Sequence, residues 1–116
     1  MSQSCIFCAI VAGTIAADVL YQDGRVVAFR DRSPQAPVHI LLVTRHHFAS
    51  IDDPAVPADA AACAALFAAG QAVARQVGVE RNGYRLVMNH GSDGGQTVQH
   101  LHAHLLAGRS LGWPPG

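Results

Sequence analysis

His100-Leu101-His102-Ala103-His104-Leu105-Leu106 alternates imidazoles with apolar side chains. A period of two is the signature of a strand, so the segment predicts His100, His102 and His104 on one face and Leu101, Ala103 and Leu105 on the other. The last strand is accordingly placed at His100 to Ala107. At ~3.3 Å per residue the backbones of His100 and His104 lie about 13 Å apart, too far for one ion with ~2 Å bonds to hold all three rings. The three histidines must therefore divide their roles. Each ring also needs its polar atoms satisfied, which makes three imidazoles on one short strand an expensive way to build a core.

Upstream, Tyr84 to Asn89 reads as a strand, and Gly91-Ser92-Asp93-Gly94-Gly95-Gln96-Thr97 as a glycine-rich loop. Its glycines permit positive φ, so successive N–H groups could form an anion-binding nest with the Thr97 hydroxyl beside it; a flexible hairpin loop is the other reading. Val38 to Thr44 is a continuous apolar run suited to a buried central strand, with His39 inside it. Val19 to Gln22 and Val26 to Phe29 flank Asp23-Gly24, a strong hairpin signal. Two helices complete the pattern. Cys5 to Val11 ends at Gly13, and the alanine-rich Ala58 to Val77 ends at Gly78, with Leu66, Phe67, Val73 and Val77 expected to pack on the sheet. The order gives an α+β domain over residues 1–116, an antiparallel sheet of about five strands with helices largely on one face.

Composition narrows the class. The 116 residues are 50% hydrophobic and carry 8 Lys+Arg against 8 Asp+Glu, so disorder is excluded and a core is affordable without disulfides. Zero formal charge and scattered cations, all of them arginine, argue against duplex nucleic acid as the partner. No apolar run reaches the ~20 residues of a membrane span, and no cation precedes Arg25 as a secretory leader would require. A cytoplasmic protein is expected. Cys5 and Cys8 have the spacing of half a zinc site, or are two reduced thiols in the first helix, while Cys63 reads as a small buried side chain.

The chemistry points to covalent catalysis. A neutral imidazole with one nitrogen free and the other N–H held by an acceptor can attack phosphorus, and no Asp/Glu cluster resembles a two-metal site.

These residues resemble the histidine-triad family, whose signature is His-x-His-x-His-x-x with apolar x; Gln99 before it and the small Ala103 inside it depart slightly. Phe29 to His39, Gly83 to Asn89, Gly91 to Thr97 and Gly108 to Gly116 are similar to the Hint branch, the histidine triad nucleotide-binding proteins. The resemblance implies a homodimer whose sheet continues across both copies, and a purine nucleoside phosphoramidase that releases AMP or GMP from amine conjugates. It implies His102 as nucleophile, flanked by His100 and His104, with His39 in support. Asp31 would hold the ribose and Arg32 would lie at the nucleoside pocket. Asn89, Gly95, Gln96 and Thr97 would contact the phosphate, and Trp113 would line the leaving-group pocket of the neighbouring copy. Thr97 stands where that branch usually has serine, and its β-branch restricts the hydroxyl. Bacterial members that carry the cysteine pair imply zinc on Cys5, Cys8, His47 and His100. His46 and His90 match no role. Dinucleoside polyphosphate hydrolysis, nucleotidyl transfer and non-catalytic nucleotide binding are the alternatives.

Overall fold

The computed structural model describes residues 5–116. Its elements are α1 (Ile6–Ala12), β1 (Val19–Gln22), β2 (Val26–Arg30), β3 (Val38–Thr44), α2 (Ala60–Gln76), β4 (Tyr84–Val87) and β5 (His102–Ala107). The five strands form one antiparallel sheet in the order β1-β2-β3-β5-β4. The most apolar run, β3, sits at its centre because it is covered on both faces.

The β1–β2 turn is made by a carboxylate. Asp23 Oδ1 accepts the N–H groups of Arg25 and Val26 at 2.7 and 2.9 Å, so the turn does not need Gly24 in the left-handed region. Alternation along the strands then divides the core in two. Val26, Ala28, Ile40, Leu42, Ala103 and Leu105 face α2, while Val27, Phe29, Leu41 and Val43 pack with Phe7 on the opposite face.

Helix α2 starts at an Asp59 cap, whose side chain accepts from Ala62 N at 3.0 Å, two residues later than the sequence pattern placed it. Its sheet-facing stripe is Ala62, Leu66, Ala69, Gly70, Val73 and Ala74. A Cβ at Gly70 would meet Leu42 Cδ1 at 3.4 Å, so small residues bring this helix close to the sheet. Phe67, expected on that stripe, is 57% exposed because it lies about 100° round the helix from Leu66. Cys63 is half-buried rather than buried, its thiol 3.5 Å from Val56 O.

Two strand boundaries also move. β4 ends at Val87, short of Asn89, and β5 starts at His102, not His100. Leu101 N bonds Phe48 O at 2.7 Å and His100 N bonds Val98 O at 2.9 Å, drawing the chain out of the ladder before His102. His100 is therefore not on the strand face shared by His102 and His104. No helix among the described residues is long and apolar enough to cross a membrane.

Candidate active site

β5 projects His102 and His104 on the face opposite α2, beside Val43 and Leu41 of β3. The two rings are 5.1 Å apart and line a cavity of about 700 Å³, within the usual range for small-molecule sites. α1 supplies Ile6, Phe7 and Ile10 to the wall, the 16–18 segment Ala16, Ala17 and Asp18, and β2 with its following loop Phe29, Arg30, Asp31 and Arg32. Thr97 and Val98 close it on the side of the glycine-rich loop.

Hydrogen bonds assign a tautomer to each ring. His102 Nδ1 lies 2.6 Å from His100 O, which can only accept, so Nδ1 carries the proton and Nε2 presents a lone pair. Burial lowers the His102 pKa from its ordinary value, against the nearby Asp31 carboxylate, and keeps that lone pair unprotonated at neutral pH. His39 is ordered differently. Gln35 N–H donates to its Nδ1 at 3.0 Å, so Nε2 carries the proton and donates to His104 Nδ1 at 2.9 Å. The proton of neutral His104 then sits on Nε2. Burial first, then His102 and His39, push the His104 pKa down to about 4.

Asp31 Oδ2 lies 3.5 Å from His39 Nε2, and Asp31, His39 and His104 are close enough together to suggest a cation site. The tautomer argues against it, because the Gln35 N–H requires a proton on the nitrogen an ion would need. Asp31 Oδ1 accepts Ser33 N at 2.7 Å, which fixes the carboxylate at the cavity wall.

A second cluster lies behind Phe7. Cys5 Sγ and His100 Nδ1 are 3.3 Å apart, Cys8 Sγ and His47 Nδ1 3.2 Å, Cys8 Sγ and His100 Nδ1 3.6 Å, and the two Nδ1 atoms 3.1 Å. The ligand edges of a tetrahedral zinc site are about 3.3–3.8 Å, close to these values. His100 Nε2 donates to Thr44 O at 2.6 Å, so its Nδ1 lone pair faces the cluster, the arrangement of a ligating histidine. Burial, followed by the Cys5 thiol, raises the Cys8 pKa in the metal-free cluster, a penalty that a cation would reverse. The donor set fits zinc.

The glycine-rich loop differs from an open nest. Gly95 N and Gln96 N bond Ser92 O and Gly91 O at 3.1 and 3.0 Å, so these two donors are engaged within the loop. The Gln96 side chain is a brace: Oε1 accepts Gly91 N at 3.1 Å, and Nε2 donates to Ala49 O and Val98 O at 2.9 and 3.1 Å. Of the residues assigned to substrate by sequence, Asp31, Arg32, Thr97, His102 and His104 line the cavity; Asn89, Gly95, Gln96 and Trp113 do not. Trp113 is 83% exposed, in a tail held by Arg85 Nη2 donating to Gly112 O at 2.9 Å.

The largest omission from sequence reasoning is Phe7. Its buried ring meets Phe29, His100 and His102 edge-on at 5.7, 5.9 and 5.0 Å, separating the two clusters. Ile6 and Ile10, one helical turn apart, were equally unmarked as cavity walls. His90, given no role by sequence, has its Nδ1 2.7 Å from Ser50 Oγ and ties the loop's start to the segment after His47. His46 is exposed, its ring tilted against that of Phe48 with centroids 4.5 Å apart.

Paired imidazoles on a central antiparallel sheet, facing a cleft closed by a glycine-rich loop, define a class that comparison identifies. The HIT domain model matches residues 12–111, and the chain belongs to that family. It is 42% identical over 112 residues to the purine nucleoside phosphoramidase of Escherichia coli, covering 97% of this chain and 93% of that protein. The crystal structure of a HIT family hydrolase from Legionella pneumophila superposes with a TM-score of 0.93 at 43% identity, covering 97% of this chain and all of that one. A zinc-bound histidine triad family protein from Mycobacterium smegmatis gives 0.79 at 32% identity, covering 94% and 78% of the two chains.

Proposed function

We propose that this HIT protein hydrolyses the P–N bond of purine nucleoside 5′-phosphoramidates through a nucleotidyl-histidine on His102. The observation that carries the reading is the 2.6 Å bond from His102 Nδ1 to the His100 carbonyl, which reserves Nε2 as the nucleophile. Nε2 attacks phosphorus, the P–N bond breaks, and the departing amine takes a proton from solvent relayed by the Thr97 hydroxyl, which gives one proton as it accepts another. The His104 Nε2–H steadies a non-bridging phosphate oxygen. Water then attacks phosphorus, the bond to His102 breaks, AMP or GMP leaves, and the proton lost by water returns to solvent through the same hydroxyl. Asp31 accepts the ribose hydroxyls, and Ile6, Ile10, Phe29 and Leu41 supply apolar surface for the base.

Cys5, Cys8, His47 and His100 would hold a structural zinc ion, which supplies a fixed link between α1 and the segments flanking β3 and β5. Under this reading the enzyme works as a homodimer. The exposed edge of β4 would continue the sheet into a second copy, and Trp113 would reach that copy's leaving-group pocket.

His102→Asn should abolish turnover yet bind AMP within about an order of magnitude of wild type, or ~1.4 kcal/mol. His104→Asn should retain measurable activity, reduced about 10²–10⁴-fold. Intact-protein mass spectrometry after an acid-free quench should show a nucleotidyl adduct on wild type and none on His102→Asn. Near-normal hydrolysis by His102→Asn would refute the covalent route.

A further inference from the structure

The cleft has two chemically different ends, and strand register orders them. Val43 of β3 stands beside His102, Leu41 beside His104, and Asp31 N bonds His39 O. From Val43 to His39 the strand covers about 13 Å, comparable to the span from phosphorus to the far edge of a purine in an extended mononucleotide. Arg32, one residue beyond Asp31, is thus at the end away from the nucleophile.

The cavity has apolar walls, Ile6, Ile10 and Phe29 among them, and four charged residues, of which Asp31 is fixed by Ser33 N. Two more are committed to each other: Arg30 Nε and Asp18 Oδ2 are 3.3 Å apart. Arg32 is not. Its only polar contact among the described residues is a long one, Nη2 to Ala16 O at 3.4 Å, which rests the exposed side chain on the adjoining 16–18 segment of the cavity wall. Exchanging so weak and solvated a bond for a ligand costs little.

We propose that Arg32 reads the base and selects guanine over adenine, an inference that rests on taking the cleft as a nucleotide site. Guanine offers O6 and N7 as adjacent acceptors, which the guanidinium fork matches with two parallel N–H bonds. Adenine places an amino donor where guanine has O6, so the same fork meets it donor to donor. An arginine that merely stacked on the base would favour both purines equally.

The test is titration calorimetry of zinc-loaded wild type, Arg32→Ala and Arg32→Lys with GMP, IMP and AMP, alongside kcat/KM for guanosine and adenosine phosphoramidates. IMP shares O6 and N7 with GMP but lacks the 2-amino group. Wild type should bind GMP and IMP about 5–10-fold more tightly than AMP, the low end for a bidentate contact at an exposed position. Both variants should bring the three nucleotides within twofold, because lysine keeps the charge and loses the fork. Thermal melts matching wild type would show that the exposed substitutions leave the fold intact. A wild-type ratio near one, a ratio unchanged in both variants, or IMP behaving like AMP would each overturn the assignment to Arg32. If wild type bound none of the three, the reading of the cleft itself would fall and this inference with it.

Discussion

Replacing Phe7 by alanine tests whether α1 is held by packing against the site as well as by the cysteine cluster. α1 is seven residues long, well below the ~12–15 at which an isolated helix becomes even marginal, so its order must come from what it docks against. Phe7 is its one buried residue and lies edge-on to Phe29, His100 and His102. Deleting a buried phenylalanine costs about 3–5 kcal/mol, and the lower end applies here because a short helix beside an open cleft can settle partly into the gap. For a domain of this size about 3 kcal/mol corresponds to about 12 °C in Tm. Phe7→Leu keeps apolar volume and loses only the edge contacts, about 0.5–1.5 kcal/mol. Urea unfolding of zinc-saturated protein, followed by far-UV circular dichroism, reads both values. A functional signature accompanies them: without the ring, water reaches His102, and the acid limb of the phosphoramidate pH–rate profile should shift upward toward the ordinary histidine pKa. A Phe7→Ala loss below about 1 kcal/mol with an unmoved acid limb would refute the argument.

Three further outcomes follow from the same geometry. Metal analysis of protein purified without chelator should find about one zinc per chain, and the Cys5→Ser, Cys8→Ser double variant should lose it; unchanged stoichiometric zinc in that variant would sink the site. Because burial holds the His104 pKa near 4 while the unfolded chain titrates near the ordinary ~6.5, the unfolded state binds the extra proton between those values. Its contribution to stability therefore rises with pH from about 4 to about 6.5 and is flat above; urea midpoints across that window should slope less steeply for His104→Asn, and equal slopes would remove His104 as the source. Gln96→Ala cuts three hydrogen bonds, one from Gly91 N within the glycine-rich loop and two to the carbonyls of Ala49 and Val98, so hydrogen exchange in residues 91–98 should accelerate and kcat/KM for phosphoramidate fall about tenfold, and unchanged exchange would show the brace to be redundant.

What the sequence made legible was whatever depends on neighbours in the chain. The period of two in residues 102–106 gave the two faces of β5, the apolar run gave β3 its central place, and Asp23-Gly24 located the first turn. The misses came where a distant backbone atom decides. Phe48 O captures Leu101 N across more than fifty residues of chain, so the histidine alternation continues in sequence after the strand has ended in space. The glycines of the loop suggested free N–H donors, but Gly91 O and Ser92 O within the loop already accept two of them. Phe67 was misplaced because an alanine-rich helix offers too little periodic contrast to fix which face turns inward. Phe7 carried no signal of its own, since one aromatic between two cysteines reads as helix filling until the sheet behind it is known.

His100 shows why the two clusters belong to one device. Its ring lies among Cys5, Cys8 and His47, and the same residue's carbonyl orients the His102 ring at 2.6 Å. The ring is pinned from its other side by Thr44 O, the last residue of the strand that also carries His39. Any displacement of the cysteine cluster is thereby transmitted to the carbonyl that fixes the His102 tautomer, through one residue whose main chain lies outside the ladder. A histidine kept in register within β5 would have presented its ring to the cleft as a third imidazole. Because β5 begins only at His102, two residues later, His100 can anchor α1 with its side chain while its backbone carbonyl orients the His102 ring, so the imidazoles divide roles that a single ion could not have combined across about 13 Å of strand.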